Sequence, residues 1–82
     1  MDHIILNVKP FIMQQEILVY KNGNCVKIGK CVMKNVPDAI YALAKSYGIS
    51  NVDLAGPTAF THKLRNDMLS MDKYSNFNIT IY

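Results

Sequence analysis

Apolar and polar positions alternate at the start of the chain. Ile4, Leu6 and Val8 lie against Ile5, Asn7 and Lys9, the period-two pattern of a strand with one buried face. Pro10 ends this strand or sits at a bulge or edge, because proline cannot donate to a ladder. Glu16 to Tyr20 reads as a second strand. Lys21-Asn22-Gly23-Asn24 follows it, and Asn-Gly is a strong hairpin signal because both corners of a type I′ turn need positive φ. Cys25 to Met33 returns as a third strand, with Val26, Ile28 and Val32 on one face and Gly29 marking a bulge or twist.

The period then changes. Val36, Ala39, Ile40, Leu43, Ala44 and Tyr47 recur at helical spacing. Asn35 is placed to cap this helix, Pro37 suits its first turn, and Gly48 suits a left-handed stop. Asn51 to Leu54 is a short strand. Gly56-Pro57-Thr58 opens a second helix with Phe60, Leu64, Met68 and Met71 as its apolar stripe. Lys73 to Asn76 reads as a polar connection, and Phe77, Ile79 and Ile81 alternate in a last strand. The predicted order is β-β-β-α-β-α-β, an α/β class fold in a single domain over residues 1–82. Strand-helix-strand units need parallel pairing and hairpins need antiparallel pairing, so the sheet should be mixed and five-stranded.

Composition narrows the reading. With 82 residues, the chain hides only about 60–65% of its unfolded surface. Half the residues are hydrophobic, enough to leave an apolar patch for a partner or a second copy. Nine Lys and Arg against six Asp and Glu leave a net charge of +3. Only Lys27, Lys30 and Lys34 approach a cluster. No apolar run approaches the roughly 20 residues of a membrane span, and no secretory signal is recognisable, so the expectation is a cytoplasmic protein. Cys25 and Cys31 on one strand would stand about 20 Å apart, too far for a disulfide, which needs Cα atoms within about 7 Å. No metal or cofactor motif is present, and none is expected.

The element order resembles the ribonuclease H-like core, which actin-like proteins also contain. The resemblance implies strand order 3-2-1-4-5 with the second strand antiparallel to the rest. The family's nucleases hold two metal ions with carboxylates, one in the first strand and another at or after the fourth. Here the first strand carries Asn7. Asp53 could match the second position, and the chain ends at Tyr82, before the family's helix with the remaining ligand. The actin-like members bind nucleotide between duplicated halves, and this chain has one. A non-catalytic protein is therefore expected. Length and the Asn-, Lys- and Met-rich style are similar to small bacteriophage accessory proteins.

Ala55-Gly56-Pro57-Thr58 could bind an anion at a helix start, but it is neither a P-loop nor a dinucleotide fingerprint, and a turn with Thr58 as cap is the better reading. His62, with Lys63 and Arg65 nearby, reads first as a solvated helix face. Catalysis by His62 with Asp53 and a cysteine would need a partner subunit. Tyr41 lies off the core stripe beside Lys45, and exposed tyrosines are favoured at binding surfaces.

The expected partner-binding residues are Tyr20, Tyr41, Lys45, His62, Arg65 and Tyr82. The alternative is a nucleic-acid-binding module using Lys27, Lys30 and Lys34. The protein is expected to bind a host or phage protein or to self-assemble. An unpaired sheet edge invites strand addition, so a homodimer through an edge strand or the helix faces is predicted. Light scattering should give twice the chain mass, and a mass of one chain would refute it.

Overall fold

The computed structural model describes residues 2–82. The elements are β1 (His3–Asn7), β2 (Gln14–Lys21), β3 (Asn24–Val32), α1 (Val36–Tyr47), β4 (Asn51–Ala55), α2 (Thr58–Leu69) and β5 (Asn78–Ile81). Single 3-10 turns lie at Met33–Asn35 and Asp72–Tyr74. The five strands form one sheet in the order β3-β2-β1-β4-β5. β2 runs antiparallel to β1 and β3, whereas β1, β4 and β5 are parallel. Element order, strand order and strand directions all match the sequence reading.

Burial is one-sided. Ile4, Leu6 and Val8, Ile17 and Val19, Val52 and Leu54, and Ile79 all turn to the same face of the sheet. There they meet Val36, Ile40 and Ala44 of α1 and Leu64 and Met68 of α2. α1 lies over β2 and β3, and α2 over β4 and β5. No described element covers the opposite face, which carries His3, Ile5, Leu18, Tyr20 and Asp53.

The hairpin forms as expected: Asn22 has φ 55° and Gly23 φ 81°, the signs a type I′ turn needs. Gly48 closes α1 with φ 65° and donates to the Ala44 carbonyl. At Gly56, φ is 135° and an added Cβ would stand 2.5 Å from the Val8 carbonyl oxygen. Only glycine allows the chain to leave β4 this close to the end of β1.

Several local expectations are corrected. Asn35 stands at the α1 N-cap in αR geometry and makes no side-chain cap bond, because the 3-10 turn before it already leads into the helix. Pro57, not Thr58, is the α2 N-cap residue, again with no side-chain bond. The inner stripe of α2 is Thr61, Leu64 and Met68, and Phe60 is 41% exposed. Both stripes have helical spacing. Thr61 takes the buried slot because its hydroxyl donates to the Thr58 carbonyl at 2.9 Å, which removes the penalty of burying it.

On β3, Lys27, Gly29 and Cys31 pair with the core-facing Val19, Ile17 and Gln15. Ile28 therefore falls on the uncovered face, 59% exposed. Val26, 48% exposed, is the extra residue of a bulge opposite Val19 and Tyr20. Gly29 faces α1, and the Leu43 side chain occupies the space above it.

Tyr74 is the largest correction. It falls in the segment expected to be polar, yet it is completely buried. Its hydroxyl donates to the Pro37 carbonyl, tying the segment after α2 to the start of α1. Burial, and then the nearby Asp38 charge, push its pKa well above the ordinary tyrosine value, so the phenol stays a donor.

Two glycine substitutions separate strain from space. Gly56→Ala should destabilise by about 2 kcal/mol or more through strain and collision. Gly29→Ala meets only an ordinary contact of 3.7 Å and should change stability by less than about 1 kcal/mol. Urea unfolding of both variants checks this; equal losses would contradict the Gly56 geometry.

Candidate functional site

The loop between β1 and β2 departs most from ordinary loop chemistry. It reads Lys9-Pro10-Phe11-Ile12-Met13. Phe11 is 99% exposed, Met13 83% and Ile12 53%. Three consecutive large apolar side chains in water are uncommon unless they bind something.

The loop is held from inside. Gln15 of β2 points to the core face and is 1% exposed. Its Oε1 accepts from the Lys9 N–H at 2.7 Å, and its Nε2 donates to the carbonyls of Lys9 at 2.9 Å and Ile12 at 3.1 Å. Ile12 N–H also donates to the Lys9 carbonyl at 3.3 Å. This closes a four-residue turn with Pro10 and Phe11 at its corners. Phe11 sits at φ 65°, in the third turn position where positive φ normally selects glycine or asparagine. A bulky residue there carries strain of about 1–3 kcal/mol. The strain places a phenyl ring in solvent and gains no burial for it.

Phe11 meets Phe60 of α2 edge to face, with ring centroids 6.1 Å apart. The contact is open, since Phe11 remains exposed. Phe60 is also the near end of a trough of about 550 Å³ between the start of α1 and α2. Met33 and Pro37 form one wall, and Phe60, Leu64 and Met71 the other. Lys34, Lys63, Asp67 and Ser70 stand on its rim. Tip and trough thus join through one phenyl ring.

A polar cluster occupies the uncovered sheet face. His3 Nδ1 lies 2.7 Å from one Asp53 oxygen, and Thr80 Oγ1 donates to the other at 2.6 Å. Tyr20 meets the His3 ring edge to face at 5.2 Å. Both carboxylate oxygens of Asp53 are thereby occupied. Asn7 leaves β1 without the carboxylate that the ribonuclease H resemblance calls for there, and Asp53 on β4 is the single acid at the second expected position. Among the described residues, no three His, Cys, Asp or Glu side chains gather as a metal site. These residues do not fit a two-metal centre.

The expected partner-binding residues are dispersed. Tyr20 lies on the uncovered sheet face, and Tyr82, 80% exposed, follows β5. Tyr41 is not a free surface ring: it packs with Tyr74 and Phe77, with the Lys45 and Lys73 ammonium groups 5.5 and 5.2 Å from its centroid. His62 points outward from α2. Arg65 donates to the Ile79 carbonyl at 2.8 Å, which ties α2 to β5. These six residues do not form one patch.

Lys27 and Lys30 project from opposite faces of β3, as their pairing with Val19 and Glu16 requires, and Lys34 lies on the trough rim. They do not form one basic face. His62, Asp53 and the cysteines do not converge either. β3 stands three strands from β4, about 14 Å away. Both cysteines are free thiols, and burial raises the Cys31 pKa, the opposite of activation. The loop tip was missed by sequence reading; its signal is the unbroken Phe-Ile-Met run between two strands.

No protein-family model and no curated protein matches the sequence. Among solved structures, the fold is similar to RNase H1 from the halophilic archaeon Halobacterium salinarum. The TM-score is 0.62 at 13% identity, over 99% of this chain and 83% of that one. The chain therefore has a ribonuclease H-like fold.

Opposite stability effects are expected in the loop. Gln15→Leu strands the backbone groups of Lys9 and Ile12 and should cost about 2 kcal/mol or more. Phe11→Gly should leave stability unchanged or raise it by up to about 1 kcal/mol, by relieving the positive φ. Thermal and urea unfolding read both; a clear loss for Phe11→Gly would mean that the ring supports the fold.

Proposed function

We propose that this chain is a non-catalytic protein-binding domain whose contact surface is centred on the loop tip Phe11-Ile12-Met13. One observation carries the reading. Phe11 is held at positive φ and 99% exposed by a loop anchored on a buried glutamine. A side chain that costs stability and buries nothing is explained by a partner that buries it. A fixed apolar anchor is also what strong interface residues provide, because little entropy is lost on docking.

The catalytic reading has less support. RNase H1, the structural neighbour, is an enzyme by name, but likeness at 13% identity speaks for the fold alone. Asn7 is neutral, and Asp53 is engaged by His3 and Thr80. The nucleic-acid alternative is weakened by the opposed directions of Lys27 and Lys30; a salt-dependent shift with DNA or RNA would restore it. The nine-residue edge strand β3 offers a route to self-assembly. Size and composition suit an accessory protein of the bacteriophage kind, acting on a host or phage protein in the cytoplasm. No helix among the described residues is long and apolar enough to cross a membrane.

Parallel capture from native-host extract, with wild type and Phe11→Gly immobilised side by side, tests the reading. Mass spectrometry should find a protein retained by wild type and lost by the variant, although the variant melts no lower. If every retained protein binds both equally, the tip is not the contact surface.

A further inference from the structure

Beside the loop tip, the trough between α1 and α2 has walls, length and charge that restrict what can fill it. Its α2 wall runs from Phe60 through Leu64, with Met71 just past the helix end; the helical part from Phe60 to Leu69 is about 14 Å long at 1.5 Å per residue. The facing wall, Met33 and Pro37, is fixed in place. The buried Tyr74 hydroxyl bonds the Pro37 carbonyl, and Lys73 pairs with Asp38 one residue on. The two walls are thus tied through the segment that follows α2, and the trough is preformed.

Its rim carries Lys34 on the side of the turn before α1, and Lys63 and Asp67 on the α2 side. Lys34 has no ion-pair partner among the described residues. Lys63 pairs only with Asp67, at 3.3 Å, and its side chain is 78% exposed. An exposed i,i+4 pair of this kind contributes only about 0.3–0.5 kcal/mol, so an incoming carboxylate can replace it.

We infer that this trough receives an amphipathic helix of the protein partner, with apolar anchors on one face and acidic side chains beside them. The inference rests on the protein-binding reading above and names the partner's chemistry. Helices docked in grooves place anchors at i, i+3 or i+4, and i+7, and between two and three turns fit a wall of about 14 Å.

A second copy of the chain does not carry the required face. It has six acidic residues. Asp2, Asp38, Asp53 and Asp67 are paired within the molecule, Glu16 lies on a strand, and Asp72 lies in a 3-10 turn. Among the described residues each helix carries a single acid, Asp38 in α1 and Asp67 in α2, too few to meet both Lys34 and Lys63. The net charge of +3 is thus available to a partner of opposite sign.

Selection from a displayed library of random peptides of about 15 residues tests this, with the intact chain as bait. Wild type should enrich peptides with Leu, Met or aromatic residues at i, i+3 or i+4, and i+7, accompanied by Asp or Glu. The double variant Lys34→Glu, Lys63→Glu should bind those peptides about tenfold or more weakly and instead enrich Lys- and Arg-bearing ones, with an unchanged melting temperature. Amide NMR shifts on adding a selected peptide should centre on Met33, Lys34, Lys63 and Met71.

No enrichment, peptides indifferent to the charge reversal, or shifts in the trough with decanoate alone would each overturn the inference. Concentration-dependent dimerisation that shifts the trough resonances would overturn it in favour of a second copy. Peptides lost on Phe11→Gly but indifferent to the charge reversal would sink the trough helix and leave the tip reading standing. The opposite pattern would sink the tip alone.

Discussion

The side chain of Gln15 lies in the core face of β2, in line with Ile17 and Val19, and it can stay there because its amide is matched by the loop backbone. A buried amide without partners costs on the order of several kcal/mol, so the loop cannot leave without exposing that debt. The loop in turn would hold Phe11 at a positive φ only if something fixed it there. One polar side chain therefore couples the register of the sheet to the posture of the exposed tip. A slip of β2 by one residue would turn Gln15 outward and release the loop.

The rest of the architecture gives this tip a neighbour. Both helices lie on one face of the sheet, α1 over one half and α2 over the other, and the trough is the seam between them. Gly29 leaves room for Leu43 of α1, Gly56 lets α2 start close to the end of β1, and the buried Tyr74 ties the segment after α2 to α1. Phe60 rests at the end of the seam and touches Phe11. Its exposure follows from Thr61 taking the inward position, and it extends the apolar surface of the tip along α2. The exposed tip draws on residues outside the core, whereas the trough wall at Leu64 is shared with it.

The fold was largely legible because its signals are periodic and redundant. The period-two runs, the Asn-Gly hairpin and the Gly48 stop each specify a local geometry, and together they leave few topologies. What escaped was decided by contacts between elements far apart in sequence. Tyr74 looks like a loop residue until Pro37 arrives to accept its hydroxyl. Phe60 and Thr61 both satisfy helical spacing, and only the Thr58 carbonyl separates them. The candidate site was less legible still. Tyrosines and lysines drew attention by type, yet Tyr41 is occupied by its own neighbours and Lys27 and Lys30 part company across the sheet. Gln15 sits in a strand pattern as a polar interruption, and nothing local shows that it reaches back six residues to Lys9.

The central claim is that the tip is a rigid display and not a mobile loop that happens to be apolar. Nitrogen-15 relaxation of the free protein tests this most directly. Order parameters for the amides of Phe11, Ile12 and Met13 should match those of the β2 strand, near about 0.85. Values below about 0.6 at these three positions, with the strands rigid, would show that Gln15 does not fix the tip and would contradict the account.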